Sequence, residues 1–498
     1  MYLYIRQRNK ILSLLDTMNE AISYISKNRQ HAKMHIDDCI MALKAIRDTL
    51  VNSAPEYNVN ILDNAMDTFY QLNEFHESSD FNKLLKQCKK DIYNIKSSVL
   101  SQVKVRWKAL FLPYKASMWT SLESIWKAAD SDPNCDATVV VIPYYELDSA
   151  GNRKNFCYEK DKFPEYVPVT HYEDYNIATE EPEMIFFHNP YDDQNTLTSV
   201  PEIYYTRNLK PYAEQLVYSP YFTYSIYNPG KSDFQYAAVG MYNADKIIAQ
   251  SKRVKQIFQY YKHPAAKIMA VGSPKTDAIV NSMKVPVSIP KEWEDKIKGK
   301  KVFLLNTHLS YFPTAYQKAG DNNYAVKWHK RILKAIVNRQ GSALIWRPHP
   351  LLKTMLETRF PQCLDFVHEM EQIINESDNC VIDTNSDYSI AFRCSDALIS
   401  TYSTLINEYM VTGKPVLIIQ TKISDEIAIR SPIDYRLNYY TIGSEKISVE
   451  KFVEMVLNGD DPLYEKRMKM INRAFLNLDG TVGEKVYRQV CNDILKRS

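Results

Sequence analysis

The sequence predicts an α/β protein, with two Rossmann-like, doubly wound domains preceded by an N-terminal α-helical bundle or coiled coil. Three observations carry this. Apolar residues recur at three- and four-residue steps through the first hundred positions. After Val103, short β-branched runs alternate with helical segments, and that alternation occurs twice with a proline-bearing charged stretch between. At 498 residues the chain also exceeds what one hydrophobic core organises. We place the domains at residues 1–103, 104–290 and 291–498.

In the first segment Ile11, Leu15, Met18, Ile22 and Ile25 form one helical seam. Cys39, Leu43, Ile46 and Leu50 repeat it, as do Phe81, Leu85, Cys88, Ile92 and Ile95. "NSAPEYN" and "HESSD" supply the polar and proline residues that end helices. A bundle of three or four helices follows. Two readings stay open for it: a folded accessory domain, or a surface for partner docking or homo-oligomer formation.

The second segment opens with a β-α-β unit: "WKALFLPY" (107–114), the helix "MWTSLESIWKAA", then "ATVVVIPYY" (137–145). "EMIFFH" (183–188), "QLVYSPYF" (215–222) and "ADKIIAQS" (244–251) continue it, and "AAKIMAVGSPKTD" (265–277) closes it. "VPVSIPKEWEDKIKGKK" (285–301) reads as a linker. The third segment alternates "VFLLNTH" (302–308), a helix, "SALIWRPHP", a helix, "DALIST" (396–401), a helix and "PVLIIQ" (415–420).

Composition narrows the function. Lys plus Arg is 62 against 59 Asp plus Glu, and a net charge of +3 argues against nucleic acid as a partner. The 36 tyrosines, against 12 glycines, offer flat amphipathic area that suits sugars and bases as well as cores. Eight cysteines show no CxxC pair and no Cys/His cluster, which points to a reducing compartment. No signal-peptide pattern and no apolar run of ~18 residues occurs, so a cytoplasmic protein is expected. Basic residues in the first ten positions and in "YEKRMKMINR" (464–473) are candidates for peripheral contact with an anionic membrane face. The plainer reading makes them solvated surfaces.

Polar residues gather where strands end, the edge at which open α/β sheets bind ligands. "LIWRPHPLL" delivers Arg347 and His349, with prolines restricting the backbone on both sides of the histidine. Residues two apart share a face in an extended chain, and a guanidinium beside an imidazole suits a phosphoryl group. "SDALISTYSTLINEY" delivers Ser400, Thr401, Tyr402, Ser403 and Thr404 into the start of a helix, whose free amides favour an anion. Glu408 lies one turn further in, within reach of ribose hydroxyls. "VFLLNTH" adds Asn306, Thr307 and His308, "IFFHNP" adds His188, and "VGSPKTD" adds Gly272, Ser273, Lys275 and Asp277. The plainer alternatives are an ordinary serine N-cap and a histidine bonded to a backbone carbonyl.

"WRPHPLLKTML", "SDALISTYSTLINEYMVTGKPVLII" and "VGSPKTDAIV" together resemble the CDP-glycerol glycerophosphotransferases, the teichoic acid polymerase and primase family. The resemblance spans roughly residues 105–490 and leaves out the helical first hundred. It implies a GT-B architecture with CDP-glycerol bound mainly by the second α/β domain. Arg347 and His349 match the family's Arg-x-His-Pro motif, Ser403 and Thr404 its paired serines at the diphosphate, and Glu408 its acidic residue near the ribose. Gly272, Pro274, Lys275 and Asp277 match its Gly-x-Pro-Arg-x-Asp segment. The chain departs by having Thr401 for an aspartate and Lys275 for an arginine. It also lacks, in "LVYSPYFTYS", the Trp-His-Gly segment of many members, which leaves His188 as a stand-in base.

The implied reaction moves glycerol phosphate, or a related phospho-alditol, from CDP-glycerol to an acceptor hydroxyl with release of CMP. The resemblance places it in cell-wall polymer synthesis at the inner membrane face, on a lipid-linked or glycan acceptor. His349 or His188 takes the acceptor's proton or steadies the phosphoryl oxygens, while Ser403, Thr404 and Arg347 hold charge on the departing CMP. No acidic pair at metal-ligand spacing appears, so no metal or other cofactor is expected. Two other readings stand beside this one: a GT-B glycosyltransferase using a nucleotide-diphosphate sugar, and a non-catalytic scaffold with a decayed site.

Overall fold

The apolar seams of the first hundred residues close on one another. In the computed structural model, helices α1 (Ile5–Ile25), α2 (Ala32–Ser53), α3 (Asn60–Glu74) and α4 (Phe81–Gln102) form a four-helix bundle. Its single core holds Leu15, Ile22, Leu43, Ile46, Phe69, Leu85, Ile92 and Val99, so the repeats are satisfied inside the chain. The structure describes residues 2–74, 80–148, 150–309, 312, 324–385, 388–401, 403–419, 425–440 and 447–496. Ahead of the bundle, strand β1 (Tyr2–Tyr4) pairs in parallel with Lys104–Arg106, tying the helical segment to the first sheet.

That sheet uses β2 (Lys104–Leu112), β3 (Cys135–Val140), and, after β4 (Tyr144–Leu147) and β5 (Arg153–Cys157), β6 (Val169–Thr170) and β7 (Met184–Phe187). After β8 (Thr198–Ser199) come β9 (Gln215–Tyr218), β10 (Lys246–Ala249) and β11 (Ile268–Ala270). All its pairings are parallel, in the order β11-β10-β9-β7-β2-β3-β6, while β5-β4-β8 form a small antiparallel sheet beside it. Strands such as Met184-Ile185-Phe186-Phe187 are buried on both faces, as a sheet covered by helices on each side requires.

The second sheet comprises β12 (Lys301–Thr307), β13 (Ser342–Pro348), β14 (Cys380–Ile382), β15 (Ala397–Ser400), β16 (Val416–Ile418) and β17 (Tyr439–Tyr440). Its order, β14-β13-β12-β15-β16-β17, is that of a dinucleotide-binding fold, third-second-first-fourth-fifth-sixth. The chain leaves β12 in one direction and β15 in the other, so their carboxyl ends open a crevice. The first sheet repeats this order, with its switch between β2 and β7.

Two segments cross between the sheets. The expected linker contains the helix Lys291–Ile297, whose Trp293 and Ile297 join the second core, as does Ile279 of the preceding helix Pro274–Lys284. The last helix, Val482–Leu495, leaves the second sheet and packs Val482, Val486, Tyr487 and Val490 into the first. Residues placed from sequence in the third domain thus return to the second one's core. Gly483 permits this, since a Cβ there would collide with the Ser124 backbone.

Candidate active site at the switch point of the second sheet

Register places four polar residues in one row across the carboxyl edge. Arg347 pairs with Asn306 and Asn306 with Ser400, while Asp383 follows β14 and sits beside Arg347. Asn306 is the hub: its amide donates to Ser400 Oγ at 2.8 Å and to Ser403 Oγ at 3.1 Å. Ser403 has the extended backbone of an N-cap (φ −153°, ψ 164°), yet its hydroxyl does not cap the helix Thr404–Tyr409. Of the first-turn amides, Ile406 donates to the Ser403 carbonyl at 3.3 Å, which leaves those of Thr404 and Leu405 without an acceptor among the described residues. Ser400 donates to the Thr401 carbonyl, and Thr401 Oγ1 accepts from the His308 backbone N–H at 3.1 Å. Tyr402, expected in this turn, lies outside the described residues.

His349 follows the strand as expected, and its backbone N–H donates to the Thr307 carbonyl at 2.9 Å. Its ring Nδ1 accepts from the Leu351 N–H at 3.2 Å, so in the neutral ring the proton is on Nε2, a donor. The half-buried His308 ring stands perpendicular to it, with centroids 5.4 Å apart. Burial holds both imidazoles below their ordinary range, and His349 adds repulsion against charging His308. The edge therefore presents two neutral imidazoles next to the Thr401–Ser403 turn.

Several residues are placed differently from expectation. Arg347 keeps to Asn306's row, but its guanidinium is not left open for a ligand there: its Nη1 donates to Asp383 Oδ2 at 2.5 Å, and both groups are buried. Thr307 alternates onto the opposite face, where its hydroxyl lies 2.8 Å from His329 Nε2 and accepts from Trp346 Nε1. It belongs to a core network. Glu408, expected near a ribose, pairs with Lys275 at 2.7 Å, joining the helices Thr404–Tyr409 and Pro274–Lys284.

The "GSPKTD" segment is mostly architectural. Gly272 has φ +109°, and a Cβ there would strike the Leu476 carbonyl. Ser273 precedes the helix, Pro274 opens it where a missing N–H is harmless, and the buried Asp277 accepts from the Val482 and Gly483 amides at 3.1 and 2.8 Å. Asp277 caps the returning helix. Its replacement by alanine is expected to cost about 1–2 kcal/mol, the usual worth of a cap. A thermal melt and faster proteolysis near residue 480 would show this; an unchanged melting temperature contradicts it.

His188 lies at the first sheet's switch point but faces inward, with no solvent exposure. Nε2 accepts from the Tyr114 N–H at 3.2 Å, and Nδ1 meets Ser121 Oγ at 3.2 Å, which in turn donates to the Met118 carbonyl. Both nitrogens are engaged, which removes it as a base in this conformation. Burial pushes its pKa down to about 3. The unfolded chain has an ordinary histidine near ~6.5. Between those values only the unfolded state takes up this proton, so stability falls as pH drops below 6.5. Between pH 7 and 5, wild type is expected to lose about 2 kcal/mol more than His188→Gln in urea denaturation. Parallel pH slopes would contradict this.

Three of the basic residues named from sequence are paired. Arg467 is fully buried against Asp461 and the Gly413 carbonyl, and Arg6 and Lys10 face Glu181. No helix among the described residues is long and apolar enough to cross a membrane. Sequence reading missed Asp383, Arg347's partner, although an aspartate directly after "CVI" was a visible sign of a strand-end group. It also missed His329, whose burial depends on a helix packing over β12.

Two Rossmann-ordered sheets, a polar crevice at the second switch point and a recrossing terminal helix define a GT-B-type fold. A family model described as CDP-Glycerol:Poly(glycerophosphate) glycerophosphotransferase matches residues 225–492, and the chain belongs to that family. Two Staphylococcus aureus proteins are similar to it. The teichoic acid ribitol-phosphate polymerase TarL is 26% identical over 231 residues, 45% of this chain and 37% of that protein. TarK, of the same description, is 25% identical over 238 residues, 45% of this chain and 40% of that protein. The matches thus span well under two thirds of those relatives. Among solved structures, a Listeria monocytogenes protein described as a UDP-N-acetylglucosamine 2-epimerase superimposes with a TM-score of 0.53 at 11% identity, covering 78% of this chain and 97% of that one. That likeness concerns the fold.

Proposed function

We propose that the chain is a transferase that moves an alditol phosphate from a CDP-alditol donor, CDP-glycerol or its ribitol counterpart, to an acceptor hydroxyl, releasing CMP. Family membership supports the reaction class, and the names of TarL and TarK bring ribitol phosphate in beside glycerol phosphate. The observation that carries the site is the convergence of the uncapped Ser403–Thr404 turn, the Asn306 hub and two neutral imidazoles at the β12–β15 crevice.

In this reading the donor's pyrophosphate lies against the turn. The amides at Thr404 and the hydroxyls of Ser403 and Thr404 take the charge that develops on the departing CMP phosphate. The acceptor oxygen attacks the distal phosphorus, and the bond from that phosphorus to the CMP oxygen breaks. His349 donates Nε2–H to a phosphoryl oxygen, which calls for the neutral tautomer its Leu351 contact selects. His308, neutral and adjacent, takes the acceptor's proton. Arg347 and Asp383 hold Asn306's row in place.

A donor screen on the purified chain tests this. CMP release from CDP-glycerol or CDP-ribitol, persisting in EDTA, is expected; UDP release from a UDP-sugar with CDP-alditols inert would make it a glycosyltransferase.

A further inference from the structure

A second polar concavity lies away from the switch point, where the two α/β units meet. It encloses 480 Å³ and is bordered by Arg253 of the helix Lys252–Tyr260, Ser431, Asp434 and Arg436 after the helix Asp425–Arg430, and Arg473 of the helix Tyr464–Ala474. The seam is knit there by the Tyr227 N–H on Ser431 Oγ and the Ile433 N–H on the Ser225 carbonyl.

Three guanidinium groups face a single carboxylate. Arg436 grips Asp434 through two parallel hydrogen bonds of 2.8 and 2.6 Å. Burial alone would raise Asp434, yet Arg436, and Arg473 through its charge, outweigh it and hold the carboxyl below its ordinary value. Arg253 is oriented by neutral acceptors, the Arg430 carbonyl at 3.2 and 2.9 Å and Gln256 Oε1 at 3.3 Å, and it meets no carboxylate among the described residues. Among the described residues Arg473 makes no hydrogen bond or ion pair, and it is exposed at the rim. The concavity thus carries an excess of positive charge in a chain whose net charge is only +3.

The lining also says what kind of anion fits. Its apolar members are Ala428, Ile429, Pro432 and Met470, and no aromatic ring among the described residues borders it, so a nucleobase finds no stacking surface there. Phosphate without a base suits it, and forked guanidinium donors match phosphate oxygens. The volume lies within the range of small-ligand sites and takes a short acyclic polyol phosphate. The loop also touches the helix that starts at the switch-point crevice, because the Tyr435 hydroxyl donates to Asn407 Oδ1 in the helix Thr404–Tyr409.

We propose that this arginine-lined concavity binds a phosphodiester unit of an oligo(alditol phosphate) chain, holding the acceptor while its terminal hydroxyl reaches the donor. The proposal rests on the transferase reading above, but its test does not need turnover. Binding of a fluorescently labelled synthetic oligo(glycerol phosphate) to the full chain, without donor, is followed by anisotropy. Wild type is expected to bind, with affinity falling as salt rises. Arg473→Glu and the double change Arg253→Gln with Arg473→Gln are expected to weaken binding about tenfold or more, as for loss of a charge-assisted contact. Matching thermal melts keep misfolding out of the comparison. Oligomer binding that is absent in wild type, or equal in the arginine variants, overturns the proposal. So does binding confined to phosphatidylglycerol vesicles with the oligomer inert, which would make the seam a lipid contact. If the oligomer binds as expected but no CDP-alditol releases CMP, the transferase reading fails instead.

Discussion

Replacing His349 by alanine is expected to lower CMP release from a CDP-alditol by roughly 10²–10³-fold while leaving the fold intact. The ring is half-buried at the strand edge, and its Nδ1 is taken by the Leu351 amide, so what alanine removes is the outward Nε2 donor. Losing a donor aimed at developing charge costs about 2.7–4 kcal/mol of transition-state stabilisation in comparable sites. The ground-state fold loses little, because a partly exposed side chain outside a packed core usually contributes within ~1 kcal/mol. Glutamine, which retains an N–H donor, should recover part of the rate. His349→Ala and wild type releasing CMP at the same rate would remove the histidine from the chemistry.

Arg347→Met is expected to be the most damaging single change to stability, at about 3–5 kcal/mol. Asp383 is 1% exposed, and without the guanidinium its charge is left buried and uncompensated. The Asn385 amides that also reach its Oδ1 do not replace a cation. Pairing Arg347→Met with Asp383→Asn removes the stranded charge and should restore at least half of the loss, measured by urea denaturation. If the double variant is as unstable as the sum of the two singles, the pair is not coupled and Arg347 is held by other contacts.

Much of this architecture was legible because it is periodic. The steps of Ile11, Leu15, Met18 and Ile22 announced a helix with one buried face, and that face is buried. The runs "VFLLNT" and "SALIWRP" announced strands covered on both sides, and register put Asn306, Arg347 and Ser400 at one edge. What a single sequence does not encode locally is which strand-end residue turns toward the cleft. Asn306 and Thr307 differ by one position, and the pleat sends the first to the crevice and the second into the core. Asp277 looked like a ligand-binding residue because it sits beside a strand end. It caps a helix that arrives only at Val482, a contact no local pattern contains. His188 was misjudged for the same reason: its neighbours Tyr114 and Ser121 come from the segment that follows β2, far earlier in the chain.

The switch-point site is tested most directly by a structure of the chain with CDP-glycerol bound. The pyrophosphate is expected against the Ser403–Thr404 turn, within hydrogen-bonding distance of His349 Nε2. A donor seated elsewhere, such as the 790 Å³ cavity between the helices Glu123–Asp130 and Val482–Leu495, with the turn at Ser403 empty, would contradict it.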